Sequence, residues 1–341
     1  MINLLDLDKD AIKKLVDDKP YRAAQVFQWI YQKGIMDIGA MSNLSKKLRE
    51  ELSGMAVISY PKLIARQVSS DMTEKLAYAL ADGHIIESVL IPEEDHWTIC
   101  ISSQVGCAMG CRFCYTATLG FKRNLSPAEI ISQVLTPIKA YPDRFFRNIV
   151  LMGMGEPLLN YANVIQAVKI MADEQGPNIS TRRITLSTCG IIPRLKTLWD
   201  DTHAGLAVSL NAATNAKRSF LMPINNAYPL EHLMEALKSN PLPHRRRITI
   251  EYVLLGGIND GLSDAKALVK ILHGIPAKVN LIPFNPWPGS EFTGPESQTA
   301  LQFQEYLKAR HFSVIIRKER GQDILAACGQ LAGERLYEAT G

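Results

Sequence analysis

The feature that most restricts the fold of this chain is a regular alternation of strand-like and helix-like segments from residue 97 onward. Strands are predicted to begin near Thr98, Asn148, Arg183, Ala204, Arg247, Lys278 and Phe312. Helical patterns follow most of these strands, at Ser126–Tyr141, Asn163–Glu174, Ser263–His273 and Glu296–His311. Repeated strand–helix units imply an α/β fold with a parallel sheet and right-handed crossovers, and about six units fit an incomplete barrel. The chemistry is then expected at the carboxyl ends of the strands.

Two shorter regions precede the alternating part. The first is helical, because Leu7–Val16 and Tyr21–Lys33 carry apolar residues at helical spacing, and Ser42 is predicted to cap a third, basic helix. The second changes to a period of two and predicts short antiparallel strands with a turn at Asp82 and Gly83. The prediction is therefore a small helical accessory domain over residues 1–60, a short antiparallel β extension over residues 61–96 and the barrel over residues 97–341.

Composition excludes several classes of protein. Of the 341 residues 47% are hydrophobic and 21% are charged, which is ordinary for a globular protein and excludes wholesale disorder. No stretch approaches the roughly 18 uninterrupted apolar residues of a membrane helix. The start, MINLLDLDKD, is acidic where an export signal would be basic, so we expect a cytoplasmic monomer without disulfide staples. A net charge of +4 permits a nucleic-acid partner without requiring one.

Three of the six cysteines form a C-x3-C-x2-C motif, at Cys107, Cys111 and Cys114 in the loop after the first barrel strand. Thiolates at this spacing can converge on one metal centre. Zinc would normally need a fourth protein ligand, which no nearby residue is spaced to provide. A [4Fe–4S] cluster with three protein ligands leaves one iron open for a substrate, so the motif favours a cluster over three structural cysteines.

With Phe113 before its last cysteine, this motif resembles the radical S-adenosylmethionine (radical SAM) superfamily. The segments TICISSQVGCAMGCRFC, FKRNLSPAEI, LMGMGEPLLN, ITLSTCG, FLMPIN, LIPFNPWPG and GQDILAACGQLAG narrow the resemblance to the RlmN/Cfr adenosine methyltransferases. It runs from about residue 84 to residue 333. It implies an incomplete (βα)6 radical-SAM barrel in which SAM binds the open iron and is cleaved to a radical.

The resemblance also implies a set of SAM-binding residues at strand ends: Gly155, Glu156, Ser187, Ser209, Leu210, Asn211 and Asn285. Strand-end carbonyls and a carboxylate suit an ammonium group, and polar strand-end residues suit ribose and adenine. The family usually has His where this chain has Asn211. A backbone contact there would be unaffected by the change, whereas an imidazole contact would be lost.

The same resemblance makes Cys328 the methyl-carrying cysteine, Cys100 its resolving partner through a transient disulfide, and Glu87 the proton acceptor. An amidine carbon of adenine cannot take a methyl group from SAM directly, but a thiolate can, by displacement. A radical formed on that S-methyl group can then add to the ring, and a second thiol releases the product. Periodicity alone would make Glu87 a solvent-facing strand residue, and we interpret Cys189 as a core residue.

The implied activity is methylation of C2 of adenosine in 23S rRNA and in tRNA next to the anticodon, with two SAM molecules per turnover and a flavodoxin- or ferredoxin-type electron donor. Three basic clusters are candidate phosphate contacts around the barrel mouth: Lys122-Arg123, Arg182-Arg183 and Arg245-Arg246-Arg247. Two alternatives stay open, namely a C8-specific methyltransferase and a non-enzymatic iron–sulfur RNA-binding regulator. Pro157 favours the C2-specific enzyme over the C8-specific one. The presence of Cys100, Cys328 and Glu87 together argues against a non-enzymatic regulator.

Overall fold

The computed structural model describes residues 1–240 and 246–333, in which strands and helices alternate. The strands are β1 (Ile2–Asn3), β2 (Ala56–Val57), β3 (Lys62–Val68), β4 (Glu74–Ala79), β5 (Ile85–Pro92), β6 (Trp97–Cys100), β7 (Gln104–Gly106), β8 (Phe121–Asn124), β9 (Phe146–Leu151), β10 (Ile184–Thr188), β11 (Gly205–Ser209), β12 (Ile248–Leu254), β13 (Ala277–Pro283) and β14 (Ser313–Ile316). The helices are α1 (Lys9–Leu15), α2 (Pro20–Tyr31), α3 (Lys46–Met55), α4 (Tyr115–Thr118), α5 (Pro127–Ala140), α6 (Tyr161–Ala172), α7 (Ile192–Leu195), α8 (Leu198–Asp201), α9 (Asn215–Leu221), α10 (Leu230–Ser239), α11 (Leu262–Ile271) and α12 (Ser297–Lys308).

One 10-stranded sheet organises the molecule, in the order β14-β13-β12-β11-β10-β9-β6-β5-β4-β3. From β6 to β14 the neighbouring strands are parallel, and helices connect them. In the described part of the chain β3 and β14 are the two edges of this sheet, so the barrel is open. Each of the barrel strands begins within two residues of its expected position. The prediction of an incomplete barrel is confirmed.

Local sequence explains the helix that follows the first barrel strand. Ser126 and Glu129 form a reciprocal capping box at the start of α5, and Pro127 occupies its first turn, where a missing N–H costs nothing. Buried α5 residues include Ile130 and Ile131, which each lie about one helical turn before Val134, and all three belong to the hydrophobic core. The helix therefore covers one face of the barrel.

The antiparallel strands β3, β4 and β5 extend the same sheet. As predicted, the chain turns between β4 and β5 near Gly83, whose φ of 88° favours glycine. The pairing of β5 with β6 places Val89 beside Cys100. The extension thereby reaches the carboxyl end of the first barrel strand.

The N-terminal helices pack against the barrel. Leu4, Leu5 and Phe27 belong to the same continuous hydrophobic cluster as the barrel core. The Asp6 carboxylate accepts a hydrogen bond of 2.8 Å from the backbone N–H of Ala128 at the start of α5. These contacts join the N-terminal helices to the first barrel helix.

One detail of the sequence prediction is wrong. Ser45, not Ser42, caps α3, with its hydroxyl accepting from the backbone N–H of Leu48. The buried side chain of Leu44 requires a turn before the helix, and this turn moves the cap by three residues. No helix in the described ranges is both long enough and apolar enough to cross a membrane.

Candidate active site

A cavity opens at the carboxyl end of the parallel sheet, where the sequence predicts the chemistry. The last or next-to-last residues of successive strands line it: Leu151, Ser187, Ser209, Val253 and Pro283. The cysteine loop after β7 and the C-terminal tail, residues 317–333, line the same cavity from the other side. The open sheet, the loop and the tail thus enclose one site.

The loop that carries Cys107, Cys111 and Cys114 is held in place from several directions. The backbone N–H of Cys107 donates to the carbonyl of Gly120, and that of Arg112 donates to the carbonyl of Leu221. A Cβ at Gly106 would lie 1.8 Å from the Gly120 carbonyl oxygen, so the loop requires glycine there. All three cysteines line the cavity.

Electrostatics favours a bound cationic group at these cysteines. Burial raises the pKa of Cys114 to about 11, and the neighbouring Cys111 thiol acts in the same direction. Burial also raises the pKa of Cys107. Thiolates here therefore need a compensating positive charge, which bound iron provides.

The donor set of the loop is chemically suited to an iron–sulfur cluster. Across the described ranges, no group of three or more His, Cys, Asp or Glu is arranged closely enough to hold a single metal ion. A [4Fe–4S] cluster binds its thiolates at separate iron atoms, and three cysteine thiols that line one cavity can supply these ligands. The residues present are therefore a suitable ligand set for a three-cysteine cluster.

Gly155 and Glu156 follow β9 and border the cavity. A Cβ at Gly155 would lie 2.6 Å from the Cβ of Gln104, so glycine allows the two segments to approach. The Glu156 carboxylate accepts hydrogen bonds from the backbone N–H groups of Leu158, at 3.0 Å, and Cys189, at 2.7 Å. Burial raises its pKa. Glu156 ties the end of β9 to the end of β10.

Most of the other expected SAM-binding residues border the cavity. Ser187, Ser209, Asn211 and Asn285 line it, whereas the side chain of Leu210 is buried in the core. Asn285 accepts a hydrogen bond from the Gln322 side chain in the tail. The backbone N–H of Leu210 donates to the Glu251 carbonyl, and its carbonyl accepts from the backbone N–H of Ala212, so both backbone groups already have partners.

Asn211 has a structural reason for its identity. Its φ of 56° lies in the left-handed region, which asparagine adopts more easily than most residues. Its side-chain oxygen accepts from the backbone N–H of Val253 at 2.8 Å, and its carbonyl accepts from the Asn259 side chain at 2.7 Å. Asn211 therefore joins the ends of β11 and β12.

Cys100 and Cys328 face the same cavity as the cluster cysteines. Cys100 ends β6 and is buried, whereas Cys328 lies in the tail and is partly exposed. Both are free thiols. Burial raises the pKa of Cys100 to about 12, and a negative charge on Cys328 adds to this effect.

The tail is attached to the rest of the site by backbone and side-chain contacts. The Gly329 carbonyl accepts from the backbone N–H of Tyr115, beside the cluster loop, at 2.7 Å. The Leu331 carbonyl accepts from the Thr116 hydroxyl at 2.7 Å. The Gln330 side chain donates to the carbonyl of Pro286 at 2.7 Å. These bonds fix the position of Cys328.

Glu87 also holds the tail. Its carboxylate is fully buried, so the solvent-facing interpretation is wrong. One oxygen lies 3.3 Å from Nζ of the buried Lys75, and the other accepts from the backbone N–H groups of Ala332 and Gly333. Glu87 does not line the cavity, but it shares a strand face with Val89, which does.

We expect Lys75→Met to lower the free energy of unfolding by about 3–5 kcal/mol, because it removes the positive charge beside a buried carboxylate. Lys62→Met on the exposed face of β3 is the matched control, with an expected change within about 0.5 kcal/mol. Urea unfolding followed by circular dichroism measures both variants. Equal stability of the two variants would contradict the assignment of a buried ion pair.

The cavity lining includes Cys189 and Glu251, which the sequence did not identify as site residues. Cys189 lines the cavity and also packs against a buried hydrophobic cluster, and a hydrogen bond with Cys111, together with burial, raises its pKa. Glu251 is buried on β12, where its carboxylate accepts from the Asn280 side chain at 2.8 Å. The sequence could have indicated Glu251, because it is a charged residue inside an otherwise apolar strand.

The basic clusters do not surround the cavity as expected. Arg182-Arg183 and Arg246-Arg247 precede β10 and β12, at the amino-terminal ends of these strands and therefore at the opposite edge of the sheet. Arg123 makes a bidentate ion pair with Glu129 and a second one with Asp82, so its charge is already compensated. Lys122 is exposed. Arg245 lies outside the described residues.

Comparison with known proteins agrees with this geometry. Residues 2–58 match a family model described as the ribosomal RNA large subunit methyltransferase N-terminal domain, and residues 101–269 match the radical SAM superfamily. A crystal structure of a radical SAM methyltransferase from Sphaerobacter thermophilus superposes with a TM-score of 0.91 at 38% identity, covering 97% of this chain and 99% of that one. The fold and the three-cysteine loop define a radical SAM enzyme, which uses a [4Fe–4S] cluster and SAM.

Full-length relatives narrow the class. The dual-specificity RNA methyltransferase RlmN of Syntrophus aciditrophicus is 46% identical over 99% of this chain and 98% of its own length. The protein of the same name from Geobacter sulfurreducens is 50% identical over 98% of this chain and 93% of its own length. The chain belongs to the RlmN family of radical SAM RNA methyltransferases.

Proposed function

We propose that this enzyme methylates C2 of adenosine in 23S rRNA, in the peptidyl-transferase region, and in tRNA next to the anticodon, with Cys328 carrying the methyl group. The observation that carries the proposal is that Cys100 and Cys328 line the same cavity as the three cluster cysteines. SAM cleavage at a radical SAM centre requires no thiols beyond those that bind the cluster. Methyl transfer through an S-methyl group requires two further thiols, one to carry the methyl group and one to release the product. Both RNAs act in translation, and we therefore propose that the enzyme is located in the cytoplasm.

Each residue then has a task that follows from its position. Cys107, Cys111 and Cys114 bind the cluster, and the ends of β9, β10, β11 and β13 bind SAM. Bound SAM supplies the methyl group and, with an electron from a flavodoxin- or ferredoxin-type donor, the radical. Methyl donation and radical formation consume separate molecules, so each turnover uses two. The target adenine has to leave its stack to enter the cavity.

Cys328 is the proposed methyl acceptor because it lines the cavity and is less buried than Cys100. After the methylene group has joined Cys328 to the adenine, release requires attack of a second thiol on the Cys328 sulfur. Cys100 is the candidate for this step, and the product is a transient disulfide. At its raised pKa of about 12, Cys100 stays protonated near neutral pH until a base removes the proton.

Glu87 is the proposed acceptor of the proton that the ring carbon loses. It lies on the cavity face of β5 beneath the tail that carries Cys328. Since Lys75 and the tail backbone occupy its carboxylate, proton transfer requires a movement of the tail or a bridging water.

Nucleoside analysis tests the proposal. The reconstituted enzyme is incubated anaerobically with SAM, a reductant and unmethylated 23S rRNA or tRNA, and the RNA is digested for mass spectrometry against synthetic standards. We expect 2-methyladenosine from both RNAs. Formation of 8-methyladenosine would assign the chain to the C8-specific methyltransferases, and the absence of any methylated adenosine would contradict the enzymatic proposal.

A further inference from the structure

The nucleophilic sulfur of the tail has a charged partner that sequence reasoning did not identify. Nη1 of Arg317 donates to Sγ of Cys328 at 2.8 Å. Arg317 directly follows β14, and its backbone N–H donates to the carbonyl of Leu281 on β13 at 2.8 Å. The guanidinium therefore projects from the rigid sheet toward a sulfur on the attached tail.

We propose that Arg317 is a further catalytic residue, which binds the Cys328 sulfur through its guanidinium and directs it into the cavity for methyl transfer. This inference rests on the proposed function of Cys328 as methyl acceptor. Arginine suits the task because its guanidinium stays charged at all relevant pH values and its planar shape fixes the direction of its N–H groups. A thiolate, and not a thiol, is the nucleophile in displacement reactions of cysteine.

The other charged and titratable groups around Arg317 leave Cys328 as its main anionic partner. Cys328 makes the largest contribution to the raised pKa of Arg317, and Glu251, Cys100 and Glu93 contribute less. Burial raises the pKa of Glu251, whose carboxylate already accepts from Asn280. Cys100 stays a thiol near neutral pH. The positive charge is thus directed at Cys328.

The methyl transfer is balanced in charge and electrons. The Cys328 thiolate attacks the methyl carbon of SAM with a sulfur electron pair, and a new carbon–sulfur bond forms at Cys328. The old bond between this carbon and the sulfonium breaks, and its electron pair stays on sulfur as neutral S-adenosylhomocysteine. The negative thiolate and the positive sulfonium both become neutral thioethers.

The loss of charge at Cys328 also has a consequence for Cys100. While Cys328 is a thiolate, its charge opposes ionisation of Cys100, whereas Arg317 favours it. Methylation removes the opposing charge and leaves the favourable one. After methylation, the charge of Arg317 therefore favours the Cys100 thiolate without opposition from Cys328, although burial still opposes it.

Alkylation kinetics test the role of Arg317 without RNA or SAM. The cluster-loaded enzyme reacts anaerobically with iodoacetamide over a range of pH values, and peptide mass spectrometry follows carboxamidomethylation of Cys328. We expect Arg317→Gln to slow this reaction near neutral pH by about tenfold or more, because the sulfur loses its positioning hydrogen bond and the adjacent positive charge. Arg310→Gln, at an exposed position in the turn after α12, is the matched control and should behave like the wild type.

A second variant separates charge from folding. In Arg317→Ala, millimolar guanidinium should restore much of the alkylation rate, whereas equal concentrations of sodium chloride or urea should not. A wild-type alkylation rate in Arg317→Gln, or an equal response of Arg317→Ala to all three additives, would overturn the inference. If Arg317 controls alkylation but SAM never methylates Cys328 in the wild type, the proposed function fails while the thiolate contact stands.

Discussion

Cys328→Ala is expected to abolish RNA methylation, whereas Cys100→Ala is expected to trap the enzyme as a covalent adduct with RNA. The two cysteines line one cavity but act at different steps of the proposed reaction. Without Cys328 there is no methyl acceptor, so the RNA stays unmodified. Without Cys100, methyl transfer and addition to adenine proceed, and the adduct persists because no thiolate attacks the Cys328 sulfur.

Denaturing gel electrophoresis with labelled RNA separates these outcomes, because the adduct survives denaturation as a shifted band. Peptide mass spectrometry should locate the bond at Cys328. Cys189→Ser provides a cysteine control in the same cavity and should form no adduct. Normal turnover by Cys100→Ala, or an adduct formed by Cys328→Ala, would contradict the assignment of the pair.

The second large effect is expected at the cluster. Replacing Cys107, Cys111 or Cys114 with alanine should eliminate the [4Fe–4S] cluster and reduce SAM cleavage to background, because two thiolates do not hold a cluster with an open iron. Iron and sulfide analysis and electron paramagnetic resonance after anaerobic reconstitution measure the loss.

The Cys189→Ser variant distinguishes a cluster bound by three cysteines from a zinc site bound by four. Cys189 contacts Cys111, so a four-cysteine zinc site would need it as the fourth ligand. A cluster bound by three cysteines does not need it, and we therefore expect Cys189→Ser to retain iron, sulfide and SAM cleavage near wild-type levels. Stoichiometric zinc without iron in the wild type, bound only when Cys189 is present, would contradict the radical SAM assignment.

The sequence was sufficient for the fold and for the cluster loop because both depend on local patterns. Segments such as ITIEYVL in β12 are rich in β-branched residues, which predict buried strands. The spacing of Cys107, Cys111 and Cys114 constrains a short loop directly. These features do not require knowledge of distant contacts.

Contacts of the tail could not be predicted in this way. Lys75, Glu87 and Ala332 meet only after the sheet has formed and the chain has returned across it. No periodicity marks such a contact. Periodicity also predicted an exposed Glu87, since it does not show that the tail covers this face of β5.

In a parallel sheet of this kind, active-site residues are expected at the carboxyl ends of the strands and not at the amino ends. Arg182-Arg183 precedes β10 and therefore belongs to the edge of the sheet away from the cavity. Arg317 directly follows β14 and therefore belongs to the edge at the cavity. The position of each residue relative to its strand therefore argues against Arg182-Arg183 as cavity residues and in favour of Arg317.

Turnover with SAM that carries a trideuterated methyl group tests the central claim most directly. If Cys328 first accepts the methyl group and then loses one of its hydrogens as the radical forms, the methyl group on adenosine retains two deuterium atoms and gains one hydrogen. Direct transfer from SAM to the base would retain all three. Mass spectrometry of the methylated nucleoside distinguishes these products. We predict the doubly deuterated methyl group, and a triply deuterated one would contradict the Cys328 pathway.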